Sequence, residues 1–140
     1  MDTIRLILLI RMIHVINIKQ DDFSMNEGYF YVGRSKKNNS PLGNPYTYNG
    51  KKSSVAKLSF KTREEAIYAY EKYFDMMYGS NEEFTKAFDE IYEFYKTGKE
   101  VYLGCFCAPK PCHADVIARK LQQKLIMEKM EERKNEQTSF

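Results

Sequence analysis

The chain contains no tryptophan, only three cysteines, and no apolar run near its start that is long enough to span a membrane. The N-terminal apolar run covers only residues 6–10, whereas a membrane span needs about 20 apolar residues. A signal peptide also needs a longer apolar core and a small-residue cleavage site. We therefore expect no membrane partner and no export signal.

The cysteine count is odd, which disfavours a closed disulfide framework. Without an export signal, a reducing cytoplasm is the expected compartment; it would be the host cytoplasm if the chain is encoded by a bacteriophage, which the Lys-, Asn-, Ile- and Tyr-rich composition would suit. The net charge of +3 is too small to indicate nucleic acid as a partner.

β-Branched and apolar residues near the start predict the first strand. We expect strand structure across residues 4–18, most clearly in "IHVINI", residues 13–18. Met12 is an alternative start of translation, in which case residues 1–11 are an upstream extension. A second strand is expected in "YFYVG" (29–33), and the polar stretch that follows predicts a loop over 34–54, either functional or a solvated connection.

Two helices are predicted next. The first covers residues 62–79, where Thr62 is followed three positions later by glutamate, the pattern of a capping box. The second covers residues 80–98 and begins with Ser80 and the same spacing. Each ends at a glycine, as helices commonly do.

The last part of the chain predicts a strand, a helix and a charged end. Residues 100–106, "EVYLGCF", favour a strand, and Pro111 falls where the final helix would begin. Charges crowd from residue 128 onward, so we expect a single domain over residues 1–127 and a frayed tail over residues 128–140.

Strands interleaved with helices predict a small single-domain α/β sandwich with a partly parallel sheet and about three helices. In such sheets ligands bind beyond the carboxyl ends of the strands. The loop after Val32 and the segment after Leu103 both follow strands directly. If these strands are parallel neighbours, the two segments meet in one crevice.

The segment "LGCFCAPKPCHAD", residues 103–115, holds all three cysteines and has several interpretations. Zinc bound by Cys105, Cys107, Cys112 and His113 is a minor alternative, because the spacing departs from the paired C-x2-C pattern of structural sites. In another interpretation the first two cysteines are small buried hydrophobic residues on a core strand.

A third interpretation is a reactive thiol. Cys112 lies at the predicted helix start, where unpaired N–H groups and the helix dipole stabilise a thiolate. It is the candidate nucleophile, with His113 as acid or base and Asp115 as the orienting carboxylate. The same helix start would also form an anion pocket with Lys110 and Arg34.

Two blocks of this sequence resemble the domain-of-unknown-function 4326 family. The resemblance covers about residues 29–121, and its most specific part is a Cys-x-Cys-x-Pro-x-Pro-Cys-His-x-Asp block. This chain has Phe106 where the family usually has tryptophan, and Ala114 where it usually has glycine. The resemblance implies a site without naming its chemistry. The matching residues are Gly33, Arg34, Gly43, Asn44 and Pro45, then Cys105, Cys107, Pro109, Pro111, Cys112, His113 and Asp115.

We predict that the crevice binds a small anionic ligand, a nucleotide or a phosphorylated ribosyl compound, which the protein senses or sequesters. Arg34 would pair with phosphate, Asn44 would hydrogen-bond a base or sugar, and Tyr46 would offer a stacking face. The predicted ligand-binding residues are Gly33, Arg34, Asn44, Tyr46, Cys105, Cys107 and Lys110.

Two other functions stay open from the sequence. One is a Cys112-dependent enzyme that acts on a nucleotide-like substrate. The other is a phage or host protein-interaction factor that uses the basic residues 34–37 and 51–54. We predict no cofactor, and the sequence leaves open whether the chain forms a homo-oligomer.

Overall fold

The computed structural model describes residues 3–18, 27–34, 39–48, 58–107 and 110–138. Within these ranges no helix is long and apolar enough to cross a membrane. The helices are α1 (Thr3–Ile10), α2 (Arg63–Met77), α3 (Glu82–Tyr95) and α4 (His113–Thr138), and the strands are β1 (Ile13–Asn17), β2 (Tyr29–Tyr31), β3 (Tyr46–Tyr48), β4 (Leu58–Phe60) and β5 (Val101–Cys105).

The main sheet has the order β1-β5-β2, and both outer strands run parallel to β5. Leu103 of the central strand pairs with Val15 on one side and Phe30 on the other. Val101 and Leu103 are both fully buried, as expected for a central strand that is covered on both faces. The predicted α/β class is confirmed; the described residues contain four helices where about three were expected.

The N-terminal prediction is wrong before residue 13, because residues 3–10 form helix α1 instead of a strand. Leu6 and Leu9 pack against the core, while Ile4 and Leu8 are exposed. Side chains three positions apart share one face of a helix, so a helix buries one side of this leucine-rich run. The strand predicted over residues 4–18 begins only at Ile13.

The start of α2 is as predicted, and the start of α3 is shifted by one residue. The Thr62 hydroxyl accepts a hydrogen bond from the N–H of Glu65 at 3.1 Å, which caps α2. For α3 the predicted cap, Ser80, is wrong: Asn81 is the cap and accepts from the N–H of Phe84 at 3.0 Å. The Ser80 hydroxyl is used elsewhere, because it donates to a carbonyl oxygen in the last turn of α2.

Helix α4 begins at His113, just after Pro111, and continues to Thr138. The tail predicted to fray from residue 128 is thus helical to Thr138, and its fraying stays a prediction. Residues 128–136 contain neither glycine nor proline and consist mainly of Glu, Lys, Arg and Met, which are good helix formers. The Tyr92 hydroxyl also donates to the Glu128 carboxylate at 2.6 Å, which joins this part of α4 to α3.

A second, two-stranded sheet lies partly within the predicted loop 34–54. Strand β3 pairs with β4 in parallel, which the sequence analysis did not predict. The Tyr46 ring meets Phe60 of β4 and Tyr73 of α2 edge to face, with centroid distances of 5.5 and 6.0 Å. The small sheet is thereby packed on α2, which fixes the position of the residues just before β3.

Candidate functional site

The segments that follow β2 and β5 leave the same edge of the sheet, because the two strands are parallel neighbours. A cavity of about 210 Å³ lies there, bounded on its third side by the start of α2. The fold thus brings together residues that are far apart in sequence, and their roles stay predictions. Seven predicted site residues line the cavity: Gly33, Arg34, Asn44, Tyr46, Cys107, Cys112 and His113.

Gly33 and Gly43 allow the end of β2 and the following turn to approach each other closely. A Cβ atom on Gly43 would lie 3.1 Å from both the Cβ of Arg34 and the carbonyl oxygen of Gly33. A Cβ atom on Gly33 would lie 2.8 Å from the Tyr31 ring. Larger side chains would push these groups apart, so the two glycines hold Arg34 in place.

Asn44 shapes the turn that leads into β3. Its Oδ1 accepts a hydrogen bond from the N–H of Tyr46 at 2.9 Å, which is an Asx turn. The side-chain oxygen is therefore used within the protein, and the Nδ2 group remains as the donor to a ligand. A hydrogen bond from Asn44 to a ligand would consequently need an acceptor on that ligand.

Arg34 brings a positive charge with unsatisfied donors to the cavity. Its Nε and Nη1 atoms are buried, and neither has a hydrogen-bond partner among the described residues. Burial lowers the pKa of the Arg34 guanidinium, yet an arginine side chain stays protonated in proteins. Buried donors without acceptors are costly, and an anion in the cavity would supply the missing acceptors.

His113 is a neutral imidazole held by β2. It is only 8% exposed, and its Nε2 lies 2.6 Å from the carbonyl oxygen of Val32. Because a carbonyl oxygen only accepts, Nε2 carries the hydrogen and Nδ1 keeps its lone pair. The pKa of His113 is lowered to about 4. Burial and the charge of Arg34 lower it, and the hydrogen bond to Val32 partly opposes them. At neutral pH His113 therefore offers an acceptor, not a positive charge.

Cys112 is buried, which does not favour the predicted thiolate there; its reactivity stays a prediction. Cys112 is 3% exposed, and its Sγ lies 3.5 Å from the Sγ of Cys105. Hydrogen bonds to the Cys105 and Cys107 thiols, together with burial, raise the pKa of Cys112. The backbone N–H of Cys112 itself donates to the Asp115 carboxylate at 2.9 Å, while the N–H of Ala114 at the helix start opposes the rise in the pKa of Cys112.

Cys107 is the thiol whose pKa falls. A hydrogen bond from the Cys112 thiol and interactions with Arg63 lower the pKa of Cys107 to about 6, although burial opposes this. Arg63 is the first residue of α2 and also donates from Nη1 to the carbonyl oxygen of Pro111 at 3.1 Å. The helix start and the cysteine segment are thus joined directly through one guanidinium group.

Arg63 was not predicted, and neither were four other lining residues. The sequence marks the start of α2 only through the Thr62 cap, and no local pattern indicates which distant segment the next side chain meets. Phe106 and Pro111 lie within the predicted segment 103–115 but were not assigned as site residues. The residues that sequence reasoning missed are Arg63, Ala66, Ile67, Phe106 and Pro111.

Three predicted site residues do not line the cavity. Cys105 is 1% exposed and lies behind Cys112. Lys110 is exposed, and its N–H closes a turn on the carbonyl oxygen of Cys107 at 2.9 Å. Asp115 is exposed and caps the start of α4 by accepting a hydrogen bond from the Cys112 N–H; its predicted orienting role stays a prediction.

The minor zinc alternative finds no support in the geometry. All four of its ligands are described, and no group of three or more His, Cys, Asp or Glu side chains in the described ranges is arranged to hold a metal ion. His113 is already engaged through Nε2. The basic residues 35–37 and 51–54, named for a protein partner, lie outside the described residues.

Comparison with known proteins identifies the chain by family alone. A family model described as "Domain of unknown function (DUF4326)" matches residues 16–123, from the end of β1 into the first half of α4, and this range includes every residue that lines the cavity. No curated protein and no solved structure matches the chain. The function must therefore be argued from the site itself.

Proposed function

We propose that this chain, which belongs to the DUF4326 family, binds a small anionic ligand of the nucleotide or phosphorylated-ribosyl class in its cavity, as a sensor or a sequestering protein. The observation that carries the proposal is the pair of buried, unpartnered nitrogens of Arg34. They belong to a permanent cation, and phosphate oxygens are strong acceptors for guanidinium N–H groups.

The electrostatics of the cavity favour an anion. Arg34 and Arg63 both line it, and the imidazole of His113 adds no charge at neutral pH. Cys107 supplies one negative charge at neutral pH, so the cavity keeps an excess of positive charge from its own lining. A single phosphate group could pair with Arg34 while Arg63 remains hydrogen-bonded to the Cys107 thiolate.

The size of the cavity limits the ligand. Its volume of about 210 Å³ is below the range of about 300–1,000 Å³ typical of sites for drug-sized molecules. A sugar phosphate, or the phosphorylated-sugar part of a nucleotide, suits this volume. Tyr46 and Phe106 line the cavity as well, and their rings offer apolar faces to a sugar or base.

A larger groove elsewhere is a poor candidate for the same ligand. It has a volume of about 790 Å³ and runs from the turn before α3 along most of that helix. Four of its eight lining residues are acidic, namely Glu82, Asp89, Glu90 and Glu93, against one lysine. This surface would repel an anion, so it does not compete with the cavity beside Arg34 for an anionic ligand.

A thiol-dependent enzyme is the second candidate, and one observation supports it in an altered form. The low pKa belongs to Cys107, not to Cys112. The nucleophile that attacks the ligand would therefore be Cys107, which lines the cavity together with Arg63. The Cys112-dependent form of this hypothesis is less favoured, because burial and the neighbouring thiols raise the pKa of Cys112.

Calorimetric titration of the full chain tests the binding proposal. The probes are a ribose phosphate, a nucleoside monophosphate and inorganic phosphate. We expect Arg34→Gln to weaken binding of the ribose phosphate roughly 10- to 100-fold, since a hydrogen bond to a charged group contributes about 1.5–3 kcal/mol. Arg119→Gln is the matched control, because Arg119 is exposed and pairs with Glu71 on the surface.

The outcomes separate the hypotheses. Equal affinity of the Arg34→Gln and Arg119→Gln variants for the probes would contradict the proposal. Binding that survives in Cys107→Ser supports a binding site, whereas turnover of the probe that disappears in Cys107→Ser supports the thiol-dependent enzyme.

A further inference from the structure

We propose that Cys107 is a modification site that reacts with peroxides, and that Cys112 then resolves the oxidised thiol into a Cys107–Cys112 disulfide. This inference goes beyond ligand binding and does not depend on it. It rests on the arrangement of three thiols and one guanidinium group at the end of β5.

The three thiols differ in their access to the cavity. Cys107 is partly exposed and lines the cavity, so a small oxidant can reach it from solvent. Cys112 also borders the cavity but is 3% exposed, and Cys105 is 1% exposed. The first reaction with a reagent from solvent therefore falls on Cys107.

Arg63 and Cys112 make Cys107 the most reactive of the three. The Arg63 guanidinium hydrogen-bonds the Cys107 sulfur and stabilises its negative charge. The same guanidinium donates to the carbonyl oxygen of Pro111, which fixes it beside the thiol. A thiolate is the form of cysteine that attacks peroxides.

The second thiol is already in contact with the first. Cys107 and Cys112 both border the cavity, a hydrogen bond between the two thiols contributes to the lowered pKa of Cys107, and the Lys110 N–H, two residues before Cys112, donates to the Cys107 carbonyl oxygen at 2.9 Å. Cys112 also lies 3.5 Å from Cys105. Cys112 thus interacts with both of the other thiols.

The chemistry balances with hydrogen peroxide as the oxidant. The Cys107 thiolate attacks one peroxide oxygen, so that an S–O bond forms, the O–O bond breaks and hydroxide leaves. Sulfur loses two electrons and the peroxide gains them. The Cys112 thiol then attacks the sulfenic acid sulfur, the S–S bond forms, and the hydroxyl group leaves as water with the Cys112 proton.

The proposed disulfide is tested by treating the reduced full chain with hydrogen peroxide. The free thiols are then alkylated, and the disulfides are mapped by mass spectrometry. We expect a Cys107–Cys112 disulfide with Cys105 still reduced. In Cys112→Ser the sulfenic acid should persist on Cys107 and be trapped by dimedone. In Cys105→Ala, which keeps both reacting thiols, the disulfide should form as in the unaltered chain.

Three results would overturn the proposal. The first is oxidation of Cys107 that is no faster than that of free cysteine under the same conditions. The second is a Cys105–Cys112 disulfide that forms equally fast in Cys107→Ser. The third is a Cys107 sulfenic acid that persists in the unaltered chain. The first and third measurements use the unaltered protein, so they stand even if a cysteine variant fails to fold.

Discussion

The hydroxyl of Tyr70, in the middle of α2, donates a hydrogen bond of 2.6 Å to the carbonyl oxygen of Leu42. Both residues are buried, with exposed fractions of 0% and 1%. The Tyr70 ring also meets the His113 imidazole edge to face at 5.1 Å. One side chain therefore joins the turn before Asn44 to the start of α4, and so connects two walls of the cavity.

Replacing Tyr70 with phenylalanine should lower the free energy of unfolding by about 1–3 kcal/mol, because the buried Leu42 carbonyl oxygen loses its donor. We also expect weaker binding of the ribose phosphate, since the turn that carries Asn44 is no longer tied to α2. Denaturant unfolding and calorimetric titration measure the two effects. Tyr68→Phe is the control, because Tyr68 is 62% exposed on the same helix. Equal stability of the two variants would contradict this role.

The reactivity of Cys107 should follow its pKa. Since the pKa of Cys107 is lowered to about 6, its alkylation rate should reach half its maximum near pH 6 and fall at lower pH. The groups that set this value are Cys112, Arg63 and the more distant Asp115, of which only Asp115 raises it. The measurement is the rate of iodoacetamide alkylation between about pH 4.5 and 9, mapped by mass spectrometry.

Arg63→Gln should move this midpoint upward, because the thiolate loses its cationic partner. Arg119→Gln should leave it unchanged, since that arginine pairs with Glu71 on the surface. A midpoint near the ordinary cysteine value of about 8.5 in the unaltered chain would refute the proposed thiolate.

The meeting of the Arg34 loop with the cysteine segment could be predicted from the sequence. Both segments directly follow β-rich stretches, and the interleaved strands and helices favour parallel pairing, which places both at one edge of the sheet. Phe30 of β2 pairs with Leu103 of β5, so the two strands are parallel neighbours, as this prediction requires. Local patterns and a general rule of parallel sheets were sufficient here.

The identity of the thiolate could not be predicted, because it depends on burial. The sequence places Cys112 at a helix start, which favours a low pKa. In the fold, Cys112 is enclosed by the other two thiols, while Cys107 meets Arg63 from a helix more than 40 residues earlier. Which sulfur is covered and which meets a cation is decided by tertiary packing alone.

The N-terminal helix shows a limit of pattern reading. A short apolar run such as residues 6–10 suits a buried strand or one face of a helix equally well. Only the packing of Leu6 and Leu9 against the core selects the helix. The second sheet was missed for a related reason, because β3 and β4 are three-residue strands within or beside polar sequence.

The Asp115 carboxylate should contribute to stability and not to the reactivity of the thiols. It accepts a hydrogen bond from the Cys112 N–H at 2.9 Å, and its own N–H donates to the Cys112 carbonyl oxygen at 3.0 Å. Asp115→Ala should cost about 0.5–2 kcal/mol of unfolding free energy through loss of the cap. Denaturant unfolding measures this, and Asp115→Asn should recover part of the loss. A large fall in the Cys107 alkylation rate in Asp115→Asn would instead support the orienting role.

His113 should make the protein less stable as the pH falls from about 6.5 to about 4. Its folded pKa of about 4 lies below the value of about 6.5 in the unfolded chain. The unfolded state therefore binds the extra proton first, and the stabilisation by neutral His113, present above about pH 6.5, is lost progressively down to about pH 4. The loss should amount to about 3 kcal/mol.

Urea unfolding between about pH 4 and 6.5 measures this loss of stability. His113→Gln is the variant without this titration, and His14→Gln is the control at the other, more exposed histidine. Arg34 lowers the pKa of His113 and Asp115 raises it, so Arg34→Gln should make the loss smaller. If His113→Gln keeps the full pH dependence of the unaltered chain, the neutral buried imidazole is not its cause.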